Sequence, residues 1–168
     1  SDAEEREERA AHVLARRLVR AVWLGGHAQA DALLGPLLAA GRVHGFAVWA
    51  NAGGVGEECS YHLDYAELHR RRTGRLHPPL LACTLHASAL ADGAMSGGTF
   101  GANTLGLDHY AKFGHHGVLA RAAPDALDLD WAHDPHWVKV EYRSRRAILF
   151  DGSLPHRATT IHAVPAGV

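Results

Sequence analysis

Apolar residues recur at helical spacing near the start of the chain and give way to short alternating runs further on. Ala10, Leu14, Leu18 and Ala21 fall on one face of a 3.6-residue repeat, which predicts an amphipathic first helix. Asp2 with Glu5 three residues later has the form of a capping box. Glu4, Glu5, Glu7 and Glu8 sit at the positive end of its dipole, with Arg16, Arg17 and Arg20 toward the negative end. Gly25-Gly26 ends it. A second helical stretch, roughly 28 to 40, carries Leu33, Leu34, Leu37 and Leu38. Gly35-Pro36 is expected to break or kink it, because proline lacks a donor and clashes with the preceding turn. Gly41 offers a C-terminal stop.

From Arg42 onward the pattern becomes strand-like. Val43 to Ala50 reads as a strand, Asn51 to Gly56 as a glycine-rich turn, and Glu58 to Asp64 as a short strand. Tyr65 to Gly74 is a basic helix or loop, and Pro79 to Ala87 and Gly98 to Leu105 are two further strands. Residues 106 to 135 hold few β-branched side chains, many histidines and three aspartates near Trp131. This stretch reads as a long insertion with a short helix around Tyr110, expected to shape substrate access. Trp137 to Tyr142, Arg146 to Phe150 and Arg157 to Val164 complete the strands. Short strands between turn signals, preceded by helices, predict an α+β domain with a sandwich or barrel core.

The 168 residues fit a single domain, 1–168. A hydrophobic fraction of 47% and a charged fraction of 21% are ordinary for a soluble globular protein. A net charge of −1 gives no strong pull toward nucleic acid or an anionic membrane. The first thirty residues carry no secretory signal and no apolar run approaches a membrane span, so a soluble intracellular protein, cytoplasmic or nuclear, is expected. Cys59 and Cys83 are too few for a disulfide framework and form no CxxC pair. Both are expected to be reduced, with Cys83 packed in the core. The unusual number is 14 histidines, against roughly four at ordinary frequencies. That excess makes a single His-x-acid motif unremarkable by itself, so its context must carry the argument.

The one such motif is His62-Leu63-Asp64. On a strand, residues i and i+2 share a face, so an imidazole and a carboxylate project into one space. One distant histidine would complete a 2-His-1-carboxylate set, which leaves open positions on ferrous iron. His156 is the strongest third ligand, since it follows the strand Ala147 to Phe150 and the turn Asp151-Gly152-Ser153-Leu154-Pro155. His162 lies roughly 20 Å further along an extended strand. His115-His116 and His133-x-x-His136 read as loop histidines, Tyr61 and Trp49 as packing residues, and His69 to Arg72 as a solvated basic face. Thr84 and His86 alternate with Cys83 and Leu85 and are candidates to line a pocket in the barrel interior.

Three segments, in order, resemble the superfamily of 2-oxoglutarate- and Fe(II)-dependent dioxygenases, particularly its prolyl-hydroxylase-like branch. They are Tyr61-His62-Leu63-Asp64-Tyr65, Ser96-Gly97-Gly98-Thr99-Phe100, and the run from Arg145 through Asp151-Gly152-Ser153-Leu154-Pro155-His156 to Arg157. Together they span over half the chain. The resemblance implies a double-stranded β-helix, or jelly roll, with the N-terminal helices packed on it. It also implies Fe(II) held by His62, Asp64 and His156, 2-oxoglutarate and O2 as cosubstrates, and ascorbate as an accessory. The activity implied is hydroxylation of a C–H bond, on a protein side chain or a small molecule. A carboxylate at Asp64 favours hydroxylation over halogenation.

Members of that superfamily anchor the far carboxylate of 2-oxoglutarate on Arg or Lys, ten or more residues beyond the distal histidine. Ala158 to Val168 contains neither. Arg157 is one candidate, although strand alternation turns it away from His156. Otherwise the anchor is expected on another strand or past Val168, in a domain cut short at its C-terminus. Two other readings stay open: a cupin-like jelly-roll metalloprotein acting as a hydrolase or isomerase, and a non-catalytic peptide-binding domain.

Overall fold

Two helices make up the first of two units into which the chain divides, residues 1–52 and 53–168. The computed structural model describes residues 2–115, 117–119, 123 and 125–165. In the first unit, α1 (Asp2–Trp23) is followed by α2 (Ala28–Ala39). Trp23, Ala30 and Leu34 are buried, and the Trp23 ring meets Phe46 at 6.5 Å between centroids. The helix is not broken at Pro36, and α2 runs through it. The residue before a proline is normally driven out of the helical region by its own Cβ, and here that residue is Gly35, which has none. The helix then closes on Gly41 at φ +65°, with the Gly41 amide donating to Leu38 and the Arg42 amide to Leu37. These are the paired bonds of a Schellman motif.

The strand expected over Val43 to Ala50 does not form, and the segment is irregular. A strand needs a neighbour to satisfy its backbone, and among the described residues no ladder includes these positions. Trp49, expected to pack, is 60% exposed.

The second unit is built from short antiparallel strands and helices. The strands are β1 (Cys59–His62), β2 (Leu81–Leu85), β3 (Ser96–Gly97), β4 (Phe100–Asn103), β5 (Trp137–Val140), β6 (Ala147–Asp151), β7 (His156–Ala158) and β8 (Ile161–Ala163). The helices are α3 (Glu67–Thr73), α4 (Leu107–Phe113) and α5 (Ala126–His133). One sheet has the order β1-β7-β4-β5, while β2 pairs with β6 and β3 with β8. The fold is therefore mixed, helix plus antiparallel sheet, with small sheets that do not close among the described residues. No helix among them is long and apolar enough to cross a membrane.

Two details place the later site. β6 and β7 are consecutive yet belong to different sheets. The turn between them is pinned by the Asp151 carboxylate, which accepts from the Ser153 amide at 2.8 Å and its hydroxyl at 2.7 Å. The strand expected over Arg157 to Val164 is instead two, β7 and β8, interrupted at Thr159-Thr160. The interruption lies opposite Gly97 and Gly98, whose φ values are +81° and +66°. A Cβ on Gly97 would overlap the Thr160 carbonyl, and the Gly98 amide donates to that same carbonyl at 3.1 Å. The glycine pair thus lets the chain leave one sheet and join another.

The four-stranded sheet has two unlike faces. Phe100 and Ala102 of β4 lie on the side of His156. Tyr61, Gly101, Trp137, Lys139 and Arg157 lie on the other side, where α4 and α5 cover them. Trp131 of α5 sits on Gly101, where any Cβ would overlap its ring. Its ring is flanked by the Arg157 guanidinium at 5.6 Å and the Lys139 ammonium at 4.8 Å. Gly101 is the register partner of both Arg157 and Lys139, so a glycine between two long cations makes the socket for an indole. Helices α4 and α5 of the insertion therefore buttress the back of the sheet.

Candidate metal centre

β1 is an edge strand of four residues, and its pairing with β7 is irregular: Cys59 faces Ala158 and His62 faces His156. That one-residue slip is a bulge, which bends a strand and re-aims the side chains beside it. It brings His62 over β7 next to His156, with the two imidazole centroids 4.3 Å apart. Asp64, just past the strand, completes the group. His62 Nε2 lies 3.6 Å from Asp64 Oδ1 and His156 Nε2 lies 3.8 Å from Asp64 Oδ2. One donor atom from each residue falls within 4.8 Å of the others. His62, Asp64 and His156, three residues singled out from the sequence, are thus brought together.

The tautomers follow from the neighbours. His62 Nδ1 is 2.7 Å from the Ser60 carbonyl, and His156 Nδ1 is 3.1 Å from the Leu154 carbonyl. A carbonyl only accepts, so each Nδ1 carries the hydrogen and each Nε2 presents a lone pair toward Asp64. Two imidazole nitrogens and one carboxylate oxygen, with the outer nitrogens already fixed, suit a divalent first-row metal bound at about 2.0–2.2 Å. Side-chain exposure falls from 33% at His62 to 16% at Asp64 and 8% at His156. The group is therefore open to solvent on the His62 side. Phe100 and Phe150 wall the other, their rings 5.7 and 5.0 Å from that of His156.

The two histidines differ in basicity. The Cys59 thiol 3.9 Å away, the Ser60 carbonyl and Asp64 raise that of His62 against the effect of burial. Burial, and the charge that His62 can carry, lower that of His156. A first proton therefore goes to His62.

Of the cosubstrate candidates, Thr84 pairs with Ile148 as Ala82 pairs with Phe150. Thr84 thus shares the face of the β2–β6 ladder whose Phe150 touches His156. His86 is not brought to the triad. It lies beyond the end of β2, stacked on Tyr142 at 4.9 Å with Nδ1 against the Arg143 backbone. Four residues of strand, about 13 Å, separate it from the Ala82 position. Arg157 is not brought there either. It is 7% exposed on the opposite face, held by Asp128 at 2.7 Å and Glu58 at 3.3 Å. Among the other motifs, Arg70 and Arg71 form a surface cluster with Glu67 on α3, and His116 lies outside the described residues. A cleft of about 280 Å³ opens beside Tyr65, lined by Arg70, Leu76, Tyr110 and Ala111.

A second group, His109, Asp130 and Asp134, also converges. Nothing in the sequence signalled it, since the residues stand 21 and 4 apart within the insertion and fit no ligand spacing. The Tyr61 hydroxyl donates to His109 Nδ1 at 2.7 Å, and His109 Nε2 donates to Asp130 Oδ2 at 2.8 Å. The Trp137 indole donates to the same oxygen at 2.8 Å. Both nitrogens of His109 are thus engaged by protein partners. Asp134 accepts from the His136 amide at 2.8 Å. The arrangement is a satisfied hydrogen-bond network.

Compared with models of known protein families, with curated proteins and with solved structures, the chain matches none of them.

Proposed function

We propose that His62, Asp64 and His156 hold a ferrous ion and that the chain is a 2-oxoglutarate-dependent oxygenase hydroxylating a C–H bond. The observation that carries this reading is the shared orientation of the two histidines. Each gives Nδ1–H to a carbonyl two residues back and turns Nε2 to one carboxylate. Three protein donors would hold the ion and leave its remaining positions open to cosubstrate and oxygen. Iron held there would let O2 act as the oxidant that turns C–H into C–OH, with 2-oxoglutarate giving up two electrons as it is decarboxylated to succinate. One oxygen atom would go to succinate and the other to the substrate. The chain itself fixes the donors, keeps the His156 side dry with Phe100 and Phe150, and leaves the His62 side for entry. The strand order β1-β7-β4-β5, with β2–β6 reaching His156 from a second sheet, is compatible with a double-stranded β-helix. Thr84, on the ladder face that also carries Phe150, would be the one of the three candidates to meet the cosubstrate. A protein side chain or a small metabolite would be the substrate.

The engagement of Arg157 by two acids favours a second reading, a cupin-like metalloprotein that holds iron or zinc without 2-oxoglutarate. Anaerobic titration with ferrous iron and 2-oxoglutarate separates the two. A visible charge-transfer band, lost in His156→Ala, is expected. Iron binding without a band would select the second reading, and no binding at all would remove both.

A further inference from the structure

The back of the sheet bears on the front. β1 carries His62, yet it is short, bulged and, among the described residues, paired on one side only. Backbone pairing alone holds it weakly, so the aim of His62 depends on what else secures β1. Tyr61, the neighbour of His62 on the opposite face, is buried, and its hydroxyl is bonded to His109. His109 is 2% exposed and belongs to α4. It passes the connection to Asp130 of α5, which also holds the indole of Trp137 on the far edge strand β5. The rings reinforce the bonds: Tyr61 lies 5.6 Å from both His109 and Trp137, edge-on to each. The chain of bonds thus runs behind the sheet from one edge strand to the other.

We propose that Tyr61, His109, Asp130 and Trp137 form a positioning network that fixes the metal ligand His62, resting on the proposed metal centre at His62, Asp64 and His156. None of the four touches the metal. Each acts by fixing the strand that presents a ligand, so its removal changes the geometry offered to the ion.

The test is titration of the chain with cobaltous ion alone, well below the melting temperature, following visible bands and affinity. Circular dichroism would confirm folding. Wild type is expected to bind one equivalent, lost in His156→Ala. Tyr61→Phe keeps the ring and removes the hydroxyl. It should weaken binding about fivefold, the equivalent of one net hydrogen bond, and shift the bands. Asp130→Asn should act in the same direction and serves if Tyr61→Phe does not fold. Lys112→Ala, exposed on α4 and outside the network, should leave both readouts alone. A melting temperature lowered in Tyr61→Phe and Asp130→Asn with affinity and spectrum unmoved would make the network merely structural and overturn the proposal. A second cobalt equivalent lost in Asp134→Ala would overturn it differently, by making the cluster itself a metal site. Absence of any binding, or binding indifferent to His156→Ala, would sink the metal centre first and the positioning role with it.

Discussion

A histidine can give a metal only the nitrogen that nothing else has claimed, and in this chain the claims fall differently at His62, His156 and His109. At His62 and His156 a carbonyl takes Nδ1–H and leaves Nε2 facing Asp64. At His109 a phenol and a carboxylate take both nitrogens. That difference separates a site from a strut where residue type alone does not. The same reasoning applies to charge: Arg157 has the chemistry of an anion anchor, but Asp128 and Glu58 already neutralise it. Cys83 makes a complementary case. Burial pushes its thiol up to about 11, and the thiolate is the reactive form. Alkylation of Cys83 at pH 8 should therefore run roughly a hundredfold slower than that of a free thiol, rising as pH approaches 11. Peptide mass spectrometry of a timed iodoacetamide reaction would read this, and an ordinary rate at pH 8 would put the thiol at the surface.

Among the elements, α5 depends on the smallest residue beneath it. Gly101→Ala would place a methyl group inside the Trp131 ring, lifting α5 and with it Asp130 and Asp128. Overpacking of this kind costs about 1–3 kcal/mol. Denaturant unfolding of the variant should show it, and undiminished stability would mean that α5 is not seated as described. Nothing in the sequence marked this socket, because its parts come from β4, β5, β7 and α5 and meet only once the sheet has formed. Elements with local signals were legible: α1 and α2 by their periodicity, β6 and the turn before His156 by their turn residues, β1 by its His-x-Asp pair. The misses have a shared cause. Val43 to Ala50 has strand composition but no partner strand among the described residues, and Pro36 is tolerated because Gly35 precedes it. The break at Thr159-Thr160 is set by Gly97 and Gly98, some sixty residues earlier. The grouping of His62, Asp64 and His156 was legible because two of the three stand two residues apart. The network behind it was not, because its partners are scattered over β1, α4, α5 and β5.

At the scale of the molecule, His62 and His156 lie 94 residues apart, so no metal site exists until the second unit has folded. Metal bound only by the folded form stabilises it, by about 2.7 kcal/mol at a hundredfold excess over Kd. For a chain of this size that is a rise in melting temperature of about 5–11 °C. Calorimetry with and without ferrous or cobaltous ion should find it, with a chelator or His156→Ala reversing it. An unmoved transition would mean that the triad binds no metal. The bulge in β1 has an effect beyond aim. An edge strand with regular pairing is a template on which a second molecule can build, and an irregular one is a poor template. Deleting one residue to straighten β1 would turn His62 to the opposite face and also expose a straight edge to neighbouring chains. The same irregularity that aims His62 thus also makes β1 a poor template for self-association.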